Sequence, residues 1–311
     1  MSASLRPFQR LPFAQLADAP ARPHPYFSSV ARELDMASSD FGRLKIHWRE
    51  HGSGPPLLLV HGLMTSSYSW RYVLDALGAR FRLIVPDLPG AGRSDKPRAR
   101  LDAAALARWI GEFQSALGVR GCAAVGNSLG GYLCMRLALA DPGALSRLVN
   151  IHSPAFPIAR LRALAIALAV PGARRLLAWW VARSPERWVH RNVHYYDETL
   201  KSLEEARVYA EPLSSPDGVR AFIAYLADTM APRGFAEFAA ALAREKAERR
   251  RFPIPLRLIY SREDPLVPPE TGARLAALVD GAELHWLERT SHFAHVDSPE
   301  RVAPLLVDFL A

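Results

Sequence analysis

The stretch from Cys122 to Cys134 reads CAAVGNSLGGYLC, an apolar run, then Gly126-Asn127-Ser128-Leu129-Gly130-Gly131, then a second apolar run. A strand that feeds a helix through so sharp a turn needs glycines for unusual dihedrals and close packing, and Gly126, Gly130 and Gly131 supply them. Ser128 is then pushed out at the C-terminal end of its strand, the edge of a parallel sheet where ligands bind. Gly-x-Ser-x-Gly alone leaves two readings open: a serine that only caps the helix, or a nucleophile above the free N–H groups of a helix N-terminus.

The rhythm of buried strand and helix extends to both sides. RLKIHWRE (43–50) alternates, with Leu44, Ile46 and Trp48 on one face, the period of a half-buried strand; PPLLLVHG (55–62) and FRLIVPD (81–87) are continuous apolar strands. SYSWRYVLDALG (67–78) predicts a helix closed by Gly78. After Asp102, the positions Leu106, Trp109, Ile110, Phe113 and Leu117 recur at helical spacing up to Gly118. With a further strand in LSRLVNIHS (145–153), this pattern predicts an α/β fold built on a mainly parallel, doubly wound sheet. From Pro154 to about Phe252 only helical patterns follow, rich in Trp, Tyr and Arg, which predicts a helical cap inserted into the sheet domain. Strands resume at LRLIYSRED (256–264) and AELHWLE (282–288), separated by a helix over 270–279. A terminal helix carries Val302, Leu305, Leu306, Phe309 and Leu310, with Pro304 inside the pattern leaving its start open. The expected organisation is an N-terminal arm over 1–29, laid on the surface or partly disordered, a core over 30–153 and 253–311, and a cap over 154–252.

A chain of 311 residues can bury one large core without staples. The net charge of +8 comes from 35 Arg and 4 Lys against 31 acids. The arginines are scattered rather than gathered in a tail, so solubility explains them and no nucleic-acid partner is expected. Cys122 and Cys134 sit in apolar runs like small buried hydrophobes, so neither a disulfide nor a metal framework is expected. The N-terminus has no apolar segment before a cleavage site, which makes the cytoplasm the default location. The most apolar stretch, Leu161 to Val181, is broken by Pro171-Gly172 and Arg174-Arg175, too broken for a spanning helix. Two uses stand for Ala159–Arg191, with its three tryptophans and seven arginines. It serves as a lid over an apolar pocket, the plainer use, or it makes peripheral contact with an anionic membrane.

The nucleophilic reading of Ser128 needs a base, and the base needs an acid to orient it. Asp264 ends a later buried strand and His292 follows the last one, both at the same sheet edge as Ser128. The order Ser128, Asp264, His292 is that of hydrolases with a nucleophile elbow. Glu263 and His295 are the local competitors, expected to lie behind the site or in solvent.

With these residues placed, the sequence resembles the α/β-hydrolase fold superfamily from about Arg32 to Ala311. The landmarks are HGLMTSSYSW (61–70), DLPGAGRSDKP (87–97), GNSLGG (126–131), and the pair SREDPLVP (261–268) and SHFAHVDSPE (291–300). The resemblance implies Ser128 as nucleophile, Asp264 as acid and His292 as base. It also implies an oxyanion hole from the backbone N–H groups of Leu63 and Leu129, a structural role for His61, and Asp87 as a turn-former. HGLMTSSYSW is similar to the matching turn of haloalkane dehalogenases. Those enzymes attack a saturated carbon with Asp, though, whereas Ser128 would form an ether that water cannot open. Leu63 and Leu129 also stand where that family places Asn and Trp donors for the halide. Epoxide hydrolases fail for the same reason, although Tyr195-Tyr196 resembles their tyrosine pair. The electrophile expected is therefore an acyl carbon or a ketone.

The leading expectation is a serine esterase acting on small-molecule esters of apolar acyl groups, with Leu63, Met64, Leu129 and Phe293 making the pocket wall apolar. GNSLGG also resembles the serine hydrolases that cleave carbon–carbon bonds in ring-fission products. In that branch a Trp typically follows the catalytic His, where this chain has Phe293, and a dienoate carboxylate needs an arginine, for which the cap offers Arg187 and Arg191. Carbon–carbon cleavage is the alternative, and a hydrolase-fold ligand receptor with little turnover is a third reading. None of these readings uses a metal or an organic cofactor, and no feature of the sequence sets an oligomeric state.

Overall fold

The computed structural model describes residues 6–311. Its strands are β1 (Val30–Ser38), β2 (Gly42–His51), β3 (Pro56–Val60), β4 (Arg82–Pro86), β5 (Ala123–Asn127), β6 (Leu148–Ile151), β7 (Leu256–Ser261) and β8 (Glu283–Leu287). They form one sheet in the order β1-β2-β4-β3-β5-β6-β7-β8. The first two pairings, β1 with β2 and β2 with β4, are antiparallel, and all others are parallel.

The central strands β3, β4 and β5 are largely apolar on both faces because both are covered. Leu58, Val60, Ile84, Ala124 and Leu258 face a core closed by α2 (Ala103–Ala116) and α3 (Leu129–Ala140). Leu57, Leu59, Val85, Val125 and Ile259 face a second core closed by α1 (Leu74–Gly78) and the terminal helix. Asp102 starts α2 by accepting the N–H groups of Ala104 and Ala105, at 3.0 and 2.9 Å. Strand order reverses direction between β3 and β5, so the loops after these two strands leave a crevice at the C-terminal edge of the sheet.

Between β6 and β7 lie α4 (Ala159–Ala169), α5 (Ala173–Arg183), α6 (Pro185–Asn192), α7 (Leu203–Ala210), α8 (Pro216–Ala224) and α9 (Pro232–Ala247), with no strand of the sheet among them. After β7 come α10 (Glu270–Leu278), α11 (Ala294–Asp297) and α12 (Pro299–Leu310). Among the described residues no single helix is long and apolar enough to cross a membrane. The N-terminal stretch lies against the helical segment: Phe8 donates to the Tyr196 carbonyl at 3.0 Å, Leu203 to that of Ala17 at 2.8 Å, and His190 Nε2 to that of Leu11 at 2.8 Å.

The structure differs from the sequence reading, or goes beyond it, at three places. The strand β1 was not expected, because it is an edge strand whose side chains are mostly exposed and carry no clean alternation. SYSWRYVLDALG is not one helix but a 3₁₀ turn over Ser67–Trp70 followed by the short α1. Tyr68, Trp70, Val73 and Leu77 are all buried, and this packing overrides the helical period. Pro304 lies within α12, which begins at Pro299; its ring points to the exposed face, where water can satisfy the Glu300 carbonyl left without a donor.

Candidate active site

Ser128 joins β5 to α3 in a left-handed conformation, φ +53° and ψ −119°, that a side chain adopts only when its surroundings hold it there. Its N–H donates to the Ile151 carbonyl at 2.7 Å, and the Ser153 hydroxyl donates to its carbonyl at 3.0 Å. The glycines make the turn fit. A Cβ on Gly130 would overlap the Val60 carbonyl, and one on Gly126 the backbone of Gly131. Close approach, not a positive φ, is what excludes a side chain at both.

His292 directs Nδ1 at Asp264 Oδ2, 2.7 Å away, which leaves Nε2 as its free nitrogen. The other Asp264 oxygen accepts the N–H groups of Leu266 and Val267 at 2.7 and 3.0 Å. Burial raises the Asp264 pKa, but the adjoining His292 and these backbone donors outweigh it, and the net shift is downward. The loop holding His292 is tied from two sides: Asn127 Nδ2 donates to the His292 carbonyl at 3.1 Å, and buried Asp297 accepts the N–H groups of Ser291 and Tyr196. Burial, against those donors, pushes Asp297 up to about 7.

Ser128 and His292 line one cavity of about 360 Å³ together with Leu63, Met64 and Phe293. Among the described residues the Ser128 hydroxyl has no hydrogen-bond partner, so the serine–histidine contact is open here. Such contacts often tighten only when substrate is bound. Leu129 is the first residue of α3, and its N–H has no intrahelical acceptor. The N–H of Leu63 is likewise undonated among the described residues. Its loop is fixed by His61, which donates from Nδ1 to the Gly62 carbonyl at 2.8 Å and accepts the Leu88 N–H on Nε2 at 3.0 Å. A Cβ on Gly62 would stand 3.1 Å from the Ser128 Cβ, so the loop passes close over the serine. Asp87 does more than form a turn: it accepts from Ser67, Arg93 and His47 at 2.7, 2.9 and 3.0 Å. Burial opposes its charge, but those partners and His61 hold it at about 2.

Much of the remaining cavity wall comes from Ile158, Arg160, Leu161 and Leu164 of α4 and its approach, Leu177 of α5, and Trp188 and Asn192 of α6. Arg187 and Arg191 are not among the lining residues. They share a neighbouring face of α6, where Arg187 stacks 5.0 Å from the Phe13 ring and the Arg191 carbonyl accepts from Arg10. The only cation on the wall, among the described residues, is Arg160. Tyr195 is also elsewhere, buried with its hydroxyl on Glu205 at 2.6 Å. Of the two competitors, His295 is buried rather than solvated, bonded to Ser69 Oγ at 2.8 Å with its ring 4.6 Å from Trp70; burial depresses its pKa strongly. Glu263 accepts the Arg289 N–H at 3.1 Å and shapes the loop before His292.

The sequence reading missed His152. It ends β6 at φ +55°, fully buried, with its ring 5.7 Å from that of His292 and Nε2 accepting the Ser261 N–H. Burial lowers its pKa to about 4 and keeps it neutral beside the base. Its place at the C-terminal end of a central strand was the available signal. Both cysteines are buried and free, and among the described residues no cluster of three His, Cys, Asp or Glu side chains is set to hold a metal.

Residues 55–299 match the sequence family described as the alpha/beta hydrolase fold. The chain is similar to 2-hydroxymuconate semialdehyde hydrolase of Pseudomonas sp. strain CF600, with 28% identity over 290 residues covering 91% of this chain and 94% of that one. In structure it is similar to the epoxide hydrolase CorEH, at TM-score 0.74 and 23% identity, over 90% of this chain and 98% of the other. It is also similar to a meta-cleavage product hydrolase, CumD, at TM-score 0.67 and 23% identity, over 89% and 97%.

Proposed function

The chain belongs to the alpha/beta hydrolase fold family, and from that premise we propose that it is a serine hydrolase attacking a carbonyl carbon, with ring-fission ketones as its first substrate class. The observation that carries the serine chemistry is the single cavity holding Ser128 and the Asp264-oriented His292. In the proposed cycle His292 takes the Ser128 proton as Oγ adds to the substrate carbonyl. The oxyanion forms against the N–H groups of Leu63 and Leu129, donors of a kind that contribute about 3 kcal/mol each to a transition state. With the dienol first ketonised, which places a proton on C5, the electron pair of the breaking C5–C6 bond is taken up through the conjugated 2-oxo group as a dienolate, which takes the proton from His292. Water, deprotonated by the same ring, then opens the acyl-serine. The helical segment acts as the cap that closes the cavity.

Support for the ring-fission class comes from the Pseudomonas relative, whose length this chain matches almost throughout and which is named for 2-hydroxymuconate semialdehyde, a dienoate whose reacting carbonyl is an aldehyde. Arg160, at the rim, is the group available to a substrate carboxylate. This reverses the order expected from sequence, where ester hydrolysis led and Arg187 or Arg191 was to meet the carboxylate. Ester hydrolysis remains the second reading, because the remaining wall is largely apolar and Phe293 follows the histidine. A panel of one 2-hydroxy-6-oxo-2,4-dienoate and p-nitrophenyl acetate, butyrate and octanoate separates the two. The expected result is kcat/KM at least 100-fold higher on the dienoate, and Arg160→Gln raising KM for it but not for the esters. The reverse ranking transfers the assignment to an esterase, and turnover of neither supports a receptor.

A further inference from the structure

Among the described residues, seven large apolar side chains face solvent, and all but Phe27 and Val30 are gathered in one place. Ile166, Val170, Leu176, Trp179 and Trp180 are 54–71% exposed, and all lie on α4, α5 or the joint between them. The joint is Pro171-Gly172, with Gly172 at φ +82°, and it bends the pair by 105°. Each helix has 11 residues, about half the number needed to cross a bilayer, so neither spans one. No acidic residue occurs between Ala155 and Pro185, whereas five arginines do. Arg160 turns to the cavity. Arg162, Arg174, Arg175 and Arg183 have no carboxylate partner among the described residues; Arg183 lies 5.3 Å from the Trp179 ring, and Arg175 precedes Trp179 by one helical turn. Arg174, Arg175 and Trp179 also line a cleft of about 660 Å³ against α8.

An ordinary soluble surface scatters its apolar residues and pairs or intersperses its charges. Here exposed tryptophans and aliphatic side chains share two helices with guanidinium groups that have no carboxylate partner among the described residues, the composition that seats indole rings at a membrane interface and arginines at lipid phosphates. We propose that α4 and α5 dock the protein peripherally on an anionic lipid bilayer. The inner faces of the same helices, through Leu161, Leu164 and Leu177, line the Ser128 cavity, so docking places the roof of that cavity against the membrane. The contact does not depend on which reaction the cavity performs.

The test is co-sedimentation of the full-length protein with phosphatidylcholine vesicles containing 30% phosphatidylglycerol, about the anionic content of a strongly charged membrane, and with pure phosphatidylcholine vesicles, at low and high salt. Binding at least tenfold tighter to the anionic vesicles, weakened by salt as the surface potential is screened, is expected. Arg162→Gln with Arg175→Gln should weaken it about fivefold per arginine removed. Trp179→Ala with Trp180→Ala should abolish it and remove the blue shift of tryptophan emission on binding. All four residues are exposed and outside the cavity wall, so thermal midpoints should stay unchanged. Equal recovery in the supernatant with both vesicle types at low salt overturns the proposal, as does binding that survives both double variants. Self-association of the wild type that the tryptophan variant abolishes, without vesicle binding, also overturns it and assigns the surface to a second copy.

Discussion

Ser128, Asp264 and His292 each follow a parallel strand at the C-terminal edge of the sheet, where a side chain is displayed rather than packed. The consequence can be measured. Ser128→Ala is expected to reduce turnover by about four to six decades with the fold intact, since such residues act as a unit. Asp264→Asn should impair kcat far more than Glu263→Gln, and His292→Ala more than His295→Gln; a reversed ranking in either pair would move the acid or the base. Residues that position these groups were not legible, because His152 and Asp297 act through burial and backbone contacts that no spacing encodes. His152 has a pH signature. Unfolded, it titrates near the ordinary pKa of about 6.5, and folded near 4, so the folded state binds fewer protons in between. Its contribution is complete above pH 6.5 and is lost as pH falls through 4, on the order of 3 kcal/mol. His152→Gln, whose amide oxygen can still accept the Ser261 N–H, should flatten the fall in thermal midpoint over that range. Superposable curves would refute this.

At the scale of elements, the start of α3 was legible because its glycines, its serine and its apolar run agree. β1 was not, since an edge strand that buries little has no pattern to show. The junction of β5 and α3 is tight enough to test by one methyl group. Gly130→Ala places a Cβ against the Val60 carbonyl, backbone that has no room to move away. A loss of roughly 1–3 kcal/mol in urea unfolding is expected, together with a fall in kcat, because the Leu129 N–H shifts with the helix. Full stability in the variant would mean that the helix N-terminus is looser than the geometry implies.

Across the whole molecule, the rhythm of buried strands and helices located the sheet and the helical segment, but not how the two are joined. That junction includes a buried ion pair between Arg71, beside the sheet, and Glu205 on α7, with Arg71 stacked 4.5 Å from the Tyr68 ring and 4.4 Å from that of Tyr72. The partners are 134 residues apart, and neither has a local signature. Removing one charge strands the other without water. Glu205→Gln should therefore cost about 3–5 kcal/mol, seen as a lower thermal midpoint and earlier proteolysis within residues 154–252; an unchanged midpoint would show that the pair is not holding the segment.

The central claim is that Ser128 is a nucleophile activated by His292, and a fluorophosphonate tests it without any choice of substrate. The account predicts stoichiometric addition to the intact protein within minutes, located by mass spectrometry on the peptide containing Ser128 and abolished in His292→Ala. A folded wild-type protein that stays unlabelled, or labels at another residue, would contradict it.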